Sequence, residues 1–373
     1  MVGVEGQDLA TARSSPSILS KILKIIFLIP LIAAIVFLVF TFIFSIPIGM
    51  RLFYFTPSGL SLGQRTLSFL PFYWFLWAEA YIPIQLKVNT VFLGLEFIFA
   101  VSLLFAWRGP KESFTKVIKN SYSSTKQLLN NCLFALPIYA SMGLVATYFI
   151  SMFQESHGIS TGSLPSLDPI FELFSFTYAA VEEEIGFRLI PLGLFLLFFL
   201  FWVRRAQVGS ISLTERLKLF IKTVLYPEGA KRKLGIKNVE ADGLSGISSA
   251  EWVAITVIAG MFGLAHYLSG AGWGLGKISP AVIAGFTFGL AYIIYGIEAP
   301  IILHFFFNYY TTVYDLALSA YPGFFGIFLN FTYTLIVVLG LIGWLALFIF
   351  ALGKIAHRIF RVRKEVYPIP APL

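Results

Sequence analysis

The chain has 373 residues, 58% of them hydrophobic and 12% charged, with 40 Phe and a mean hydropathy of +0.83. A soluble domain is nearer half apolar and a quarter charged, and one core cannot hide this excess while keeping a polar skin. Disorder, a collagen-like fibre and, because Cys132 is alone, a disulfide-stapled module are excluded; a membrane-embedded protein remains, and its net charge of +8 reads as loops facing anionic lipid, with no nucleic-acid partner.

In chain order, a polar stretch over residues 1–24 precedes an apolar run, Ile25–Met50. That run is too long for a signal-peptide core and lacks a small-x-small cleavage pattern, so it reads as a retained span. Further runs long enough to cross a bilayer are Val88–Trp107, Leu128–Phe153, Pro169–Val203, Trp252–Leu268, Pro280–Gly296, Pro300–Leu318 and Phe324–Leu352. Residues 67–85 are apolar too but contain Pro71, Glu79 and Pro83, which predicts a re-entrant or interfacial piece.

Lys and Arg gather at Arg13/Lys21/Lys24, Arg108–Lys126, Arg204–Lys237 and Lys354–Lys364, whereas Gln154–Asp168 has neither. The positive-inside rule places the basic segments in the cytoplasm and the Gln154 loop outside. An all-α protein with eight crossings and both termini cytoplasmic satisfies this, provided Pro169–Val203 crosses once, kinked near Pro191. A hairpin there would put Arg204 and Arg205 outside; with eight crossings Arg51, Arg65 and Lys87 lie outside, against the rule. The predicted organisation is a tail over 1–24, N-terminal spans over 25–168 and a core over 169–318 with a cytoplasmic insert at 204–250. A last span over 319–353 and a tail over 354–373, ending in alternating prolines from Tyr367, complete the chain.

Within the insert, Ser212-Leu-Thr-Glu215 is a capping-box sequence. Leu213, Leu217, Phe220, Ile221 and Val224 follow at helical spacing opposite Arg216, Lys218 and Lys222, and Pro227 and Gly229 end the pattern. This predicts a basic amphipathic helix on the cytoplasmic lipid surface, either a tethered linker or a substrate-docking element.

Charges within spans cost about 2.5–3.5 kcal/mol each on insertion scales and so call for a reason. The outstanding cluster is Val181-Glu-Glu-Glu-Ile-Gly-Phe-Arg188. Glu184 and Arg188 are one helical turn apart in the favourable ion-pair order, while Glu183 faces about 100° away. Burial without a partner disfavours the charged form of a carboxylate, which suits a general base. Phe262-Gly-Leu-Ala-His266 sets a His in the next span with an aromatic one turn before it, and His304-Phe-Phe-Phe-Asn308 sets His and Asn one turn apart. A Glu, two His and an Asn on three helices suit the addition of water to a carbonyl: Glu183 and His266 would share the water's proton, His304 and Asn308 would donate to the oxyanion. A buried network that merely locks helices together is the structural alternative. A zinc site on Glu183, His266 and His304 is the chemical alternative, although no His-Glu-x-x-His is present and Asn is a poor zinc ligand. A Ser or Cys nucleophile has no supporting motif.

Glu-Glu-x-x-x-Arg, Phe-x-x-x-His and His-x-x-x-Asn, in that order on separate spans, resemble the signature of the CAAX-protease and bacteriocin-processing family, in its Ras-converting-enzyme branch. The resemblance covers Pro169–Tyr310, and Gly285-Phe-Thr-Phe-Gly289 also looks like the family. It implies eight helices and a metal-free glutamate-type protease that removes the last three residues of a prenylated protein, at a site within the membrane open to the cytoplasm. It further implies that Glu183 and His266 activate water, His304 and Asn308 hold the oxyanion, Glu184 and Arg188 shape the site and Phe262 packs against it. The extra Glu182, the length of Arg204–Ala250, and Leu189 where many prokaryotic members have Gly depart from the pattern.

The expectation is therefore an intramembrane endopeptidase acting on the C-terminal tail of a prenylated or lipid-anchored protein, in contact with membrane lipids. It would sit in the cell membrane of a prokaryote or the endoplasmic reticulum of a eukaryote. A proton-coupled transporter using the mid-span Glu and His and a non-catalytic scaffold or immunity member of the family are the rival readings.

Overall fold

The structure, a computed structural model, describes residues 18–121, 125–163, 168–269 and 271–366. The polar start of the chain with Arg13 and the proline-alternating end from Tyr367 lie outside the described residues.

Lipid offers no hydrogen bonds to a backbone, so apolar runs must satisfy their own amides, and helices do so within a single segment. Among the described residues seven helices are long and apolar enough to cross a membrane: Ile26–Phe55, Val88–Arg108, Cys132–Ser156, Pro169–Val203, Ser249–Leu268, Leu275–Tyr295 and Pro322–Ala356. Their outer faces expose Phe97, Leu104, Phe198, Trp202, Val257 and Phe348, the surface that acyl chains would cover.

The eighth expected crossing, Pro300–Leu318, lies in an unbroken helical run made of Glu298–Phe305, a π-turn over Phe306–Tyr310 and Thr311–Ala320. It is less apolar because it carries His304, Asn308 and Asp315, and it packs at the centre of the bundle: Leu303, Phe305, Tyr309 and Val313 are fully buried. Phe305 stacks on Phe99 at 4.2 Å. The Tyr309 hydroxyl donates to the Ser45 carbonyl (3.2 Å) and that of Tyr314 to the Thr41 carbonyl (2.7 Å), tying this run to the first helix. Gly49 permits the approach, since a Cβ there would stand 2.0 Å from the Tyr309 hydroxyl.

Residues 67–85 form the one departure from helix in this part of the chain. Leu70–Phe75 pairs antiparallel with Ala78–Ile82, and Thr66–Leu67 with Leu86–Lys87. Pro71 and Pro83 bar a helix, and Leu76 takes the turn at φ 53°. The hairpin lies against the π-turn Ile185–Leu192. Within a π-turn the residue five beyond Gly186 is Pro191, which has no N–H to offer; the Gly186 carbonyl accepts instead from the Leu76 amide at 2.6 Å. The Tyr178 hydroxyl donates to the Pro71 carbonyl beside it. A Cβ on Gly186 would meet the Tyr73 Cβ at 2.4 Å and the Leu76 carbonyl at 2.9 Å. Gly186→Ala is therefore expected to push the hairpin off the helix at a cost of about 1–3 kcal/mol, and hydrogen exchange at the Leu76 amide should accelerate; unchanged protection would refute that contact.

In the insert, Leu213–Leu225 is helical and the Ser212 hydroxyl accepts from the Glu215 amide, so half of the expected capping box is present. The Glu215 carboxylate turns instead to Lys218 (3.0 Å) and Lys233 (2.7 Å), which hold its carboxyl down at about 2. Leu219 packs with Leu200, Val208, Ala230 and Leu234, while Leu213, Leu217, Phe220, Ile221 and Leu225 stay exposed, the apolar stripe of an interfacial helix. A full capping box, Ser248 with Glu251, starts the Ser249–Leu268 helix. Glu251 also pairs with the buried Lys231 at 3.0 Å, fastening the insert to the base of that helix.

Candidate active site

The acidic cluster sits at the junction of two helix types. Pro169–Glu184 is α-helical, Ile185–Leu192 is a π-turn containing Pro191, and Gly193–Val203 resumes the α-helix. The kink expected near Pro191 is thus an over-wide turn that begins directly after the acidic cluster, a device common at functional sites.

Glu184 points into the protein and is fully buried, as is Arg188. The guanidinium donates through Nη1 to Glu184 Oε1 (3.0 Å) and through Nη2 to the Gly285 carbonyl (3.3 Å). Its plane lies 4.3 Å from the Phe262 ring centroid and 5.1 Å from that of Phe288, so a planar cation is held between aromatic faces as well as by a carboxylate. Gly285 makes the close packing possible, because a Cβ there would stand 2.9 Å from Phe262.

The same Glu184 Oε1 lies 2.8 Å from His304 Nδ1. An ionised carboxylate only accepts, so Nδ1 carries a proton and the ring is fixed with Nε2 turned outward. That Nε2 is 3.7 Å from Glu183 Oε2. Phe288 packs on the His304 ring at 5.0 Å between centroids. His266 is oriented differently: its Nδ1 lies 2.9 Å from the Phe262 carbonyl, its ring edge-on to Phe262 at 4.7 Å. A carbonyl likewise only accepts, so the neutral ring keeps its lone pair on Nε2, where a base needs it.

Glu183, half-buried, has an oxygen, Oε2, without a hydrogen-bond partner. With His266 and Asn308 it lines a cleft of about 420 Å³. An adjoining chamber of about 170 Å³ is lined by His266, His304, Asn308, Phe262 and Phe288. The two hollows share His266 and Asn308 in their walls; Glu183 lines the first and His304 the second, and Glu184 and Arg188 line neither. Glu182, the extra acid, stands beside the hairpin; with Glu183 and burial it pushes the Tyr73 phenol well above its ordinary range, burial contributing most. Tyr73 thus stays protonated on the cleft wall.

Among the described residues no three His, Cys, Asp or Glu side chains are placed to share a metal ion. The cleft was missed by sequence reasoning on two sides: Tyr73 from the hairpin, and Trp273 and Lys277 from around the start of Leu275–Tyr295. Their sequence neighbourhoods carry no motif.

Residues 165–310 match the family described as type II CAAX prenyl endopeptidase Rce1-like. No curated protein and no solved structure matches the chain.

Proposed function

We propose that this chain, whose residues 165–310 match the type II CAAX prenyl endopeptidase Rce1-like family, is a member of that family and an intramembrane endopeptidase cutting near the C-terminus of a prenylated or membrane-anchored protein. The match and the long apolar helices support an integral membrane protein of a protease family; the residues and the chemistry assigned below are our reading. The observation that carries it is the convergence of Glu183, His266 and Asn308 on one cleft with His304 Nε2 3.7 Å from the Glu183 carboxylate.

A water held between the Glu183 carboxylate and the His266 Nε2 lone pair gives its proton to one of them as its oxygen bonds to the scissile carbonyl carbon. The carbonyl π electrons move to the oxygen. The His304 Nε2 position and the Asn308 amide donate to that oxyanion, each such donor contributing about 10²–10³ in rate in a dry site. Collapse breaks the C–N bond, and the departing amine takes the stored proton. Glu184 and Arg188 touch none of the reacting atoms; they position His304. Phe176, Phe187 and Phe307 give the cleft an apolar wall suited to a lipid-modified chain.

The test is mass spectrometry of a farnesylated C-terminal peptide incubated with the purified protein in lipid nanodiscs. Release of the terminal tripeptide, undiminished by excess chelator, is expected. An intact peptide would overturn the proteolytic reading, and loss of cleavage in chelator would overturn the glutamate mechanism.

A further inference from the structure

Lys277 belongs to no motif and has no role in the chemistry above, yet it lines both chambers of the cleft together with His266 and Asn308. Its backbone is held rigidly. The loop before it pairs with the segment Ile159–Gly162: Gly162 bridges Trp273, the Gly274 amide donates to Thr161 O (2.8 Å), and the Gly276 amide to Ser160 O (2.9 Å). Only glycine fits this approach, since a Cβ on Gly274 would stand 2.4 Å from Ser160 O and one on Gly276 2.8 Å. The Lys277 amide then closes onto Gly274 O at 3.0 Å.

The side chain so placed is half-buried, with Nζ 3.9 Å from the centroid of the Trp273 ring. Among the described residues no carboxylate comes within ion-pair distance of it; the ion pairs of this part of the chain are those of Arg188 and His304 with Glu183 and Glu184. An ammonium partly withdrawn from water, with an aromatic face beside it and the Glu183 carboxylate of the same cleft acting on it only from beyond ion-pair distance, is incompletely compensated, and an incoming anion would gain more from it than from a solvated surface lysine. An enzyme that cuts near a chain end needs a marker of that end, and the one charge every unmodified C-terminus carries is its α-carboxylate. We propose that Lys277 binds the free C-terminal carboxylate of the substrate and thereby measures the cut from the chain end, an inference that rests on the proteolytic reading above.

Binding and cleavage separate the two. Binding is measured with the Glu183→Gln protein in nanodiscs and two farnesylated peptides identical except for a C-terminal carboxylate or carboxamide. The carboxylate peptide should bind on the order of tenfold to a hundredfold more tightly, the preference should vanish in a background also carrying Lys277→Gln, and it should survive Lys277→Arg. In the cleaving enzyme the amide should raise KM and leave kcat nearly unchanged. Equal binding of the two peptides without Lys277 substituted overturns the proposal and needs no variant at that position to fold. So does a Lys277→Gln enzyme that loses kcat equally on both peptides, the mark of a lysine acting on the oxyanion or on Glu183. Preferential binding of the carboxylate peptide without any cleavage leaves the carboxylate site standing and removes the proteolytic reading.

Discussion

Glu183→Gln is expected to abolish cleavage of the farnesylated peptide, lowering turnover by about 10²–10⁴-fold, the range for losing a positioned general base. The substitution keeps the size and hydrogen-bonding reach of the side chain and removes only its capacity to take a proton. Glu183 Oε2 accepts no hydrogen bond in the resting protein, and its contact with His304 Nε2 is long, at 3.7 Å, so the thermal unfolding midpoint should fall only slightly. His266→Ala should cost a similar factor in rate. Its Nδ1 contact to Phe262 O is local, and losing it should lower stability only by the roughly 0.5–1.5 kcal/mol of one hydrogen bond. Asn308→Ala should cost about 10²–10³, as for one oxyanion donor. Glu182→Gln serves as the control: it alters a neighbouring acid on the hairpin side and should leave turnover close to that of the unaltered protein. A Glu183→Gln protein that releases the tripeptide at full rate would leave the proposed chemistry without its base.

Composition and run length were enough to anticipate a helical membrane protein, because an apolar excess of this size has one physical outlet. The spacing in Glu183-Glu184-x-x-x-Arg188 likewise foretold that Glu184 would pair with Arg188 and that Glu183 would face another way, since one turn of helix fixes both bearings. Helical spacing did not reveal that Glu184 also holds His304, a contact across 120 residues that depends on how two helices pack. Nor did it reveal the π-turn: a proline predicts a kink, but the carbonyl left open at Gly186 is filled by Leu76 of a hairpin whose aromatic-rich sequence read equally well as a re-entrant piece. Tyr73 and Lys277 reach the cleft only because the hairpin and the loop beside Ser160 fold over it, and single residues on connecting segments carry no periodic signal.

The second large effect concerns stability, and it separates the buried charges from the chemistry they serve. Arg188→Leu removes the cation from a fully buried carboxylate; stripping one partner from such a pair typically costs about 3–5 kcal/mol. The lower part of that range is expected, because His304 Nδ1 remains 2.8 Å from the same oxygen and keeps Glu184 partly compensated. Arg188→Lys should recover only part of the loss: a lysine ammonium lacks the planar fork that reaches Glu184 and the Gly285 carbonyl together while lying between Phe262 and Phe288. The double substitution Glu184→Leu/Arg188→Leu removes both charges and should regain most of the stability, since apolar replacement of a whole buried pair is often close to neutral. What remains missing, about 1–3 kcal/mol, is the hydrogen bond of an His304 Nδ1 left without its acceptor. Turnover should not follow stability back. Without Glu184 the imidazole loses the contact that turns Nε2 toward Glu183, so the double variant is expected to be folded and inactive. Unfolding midpoints in detergent and tripeptide release, measured on the same three proteins, distinguish this from a network that only locks helices together, for which activity would rise and fall with stability.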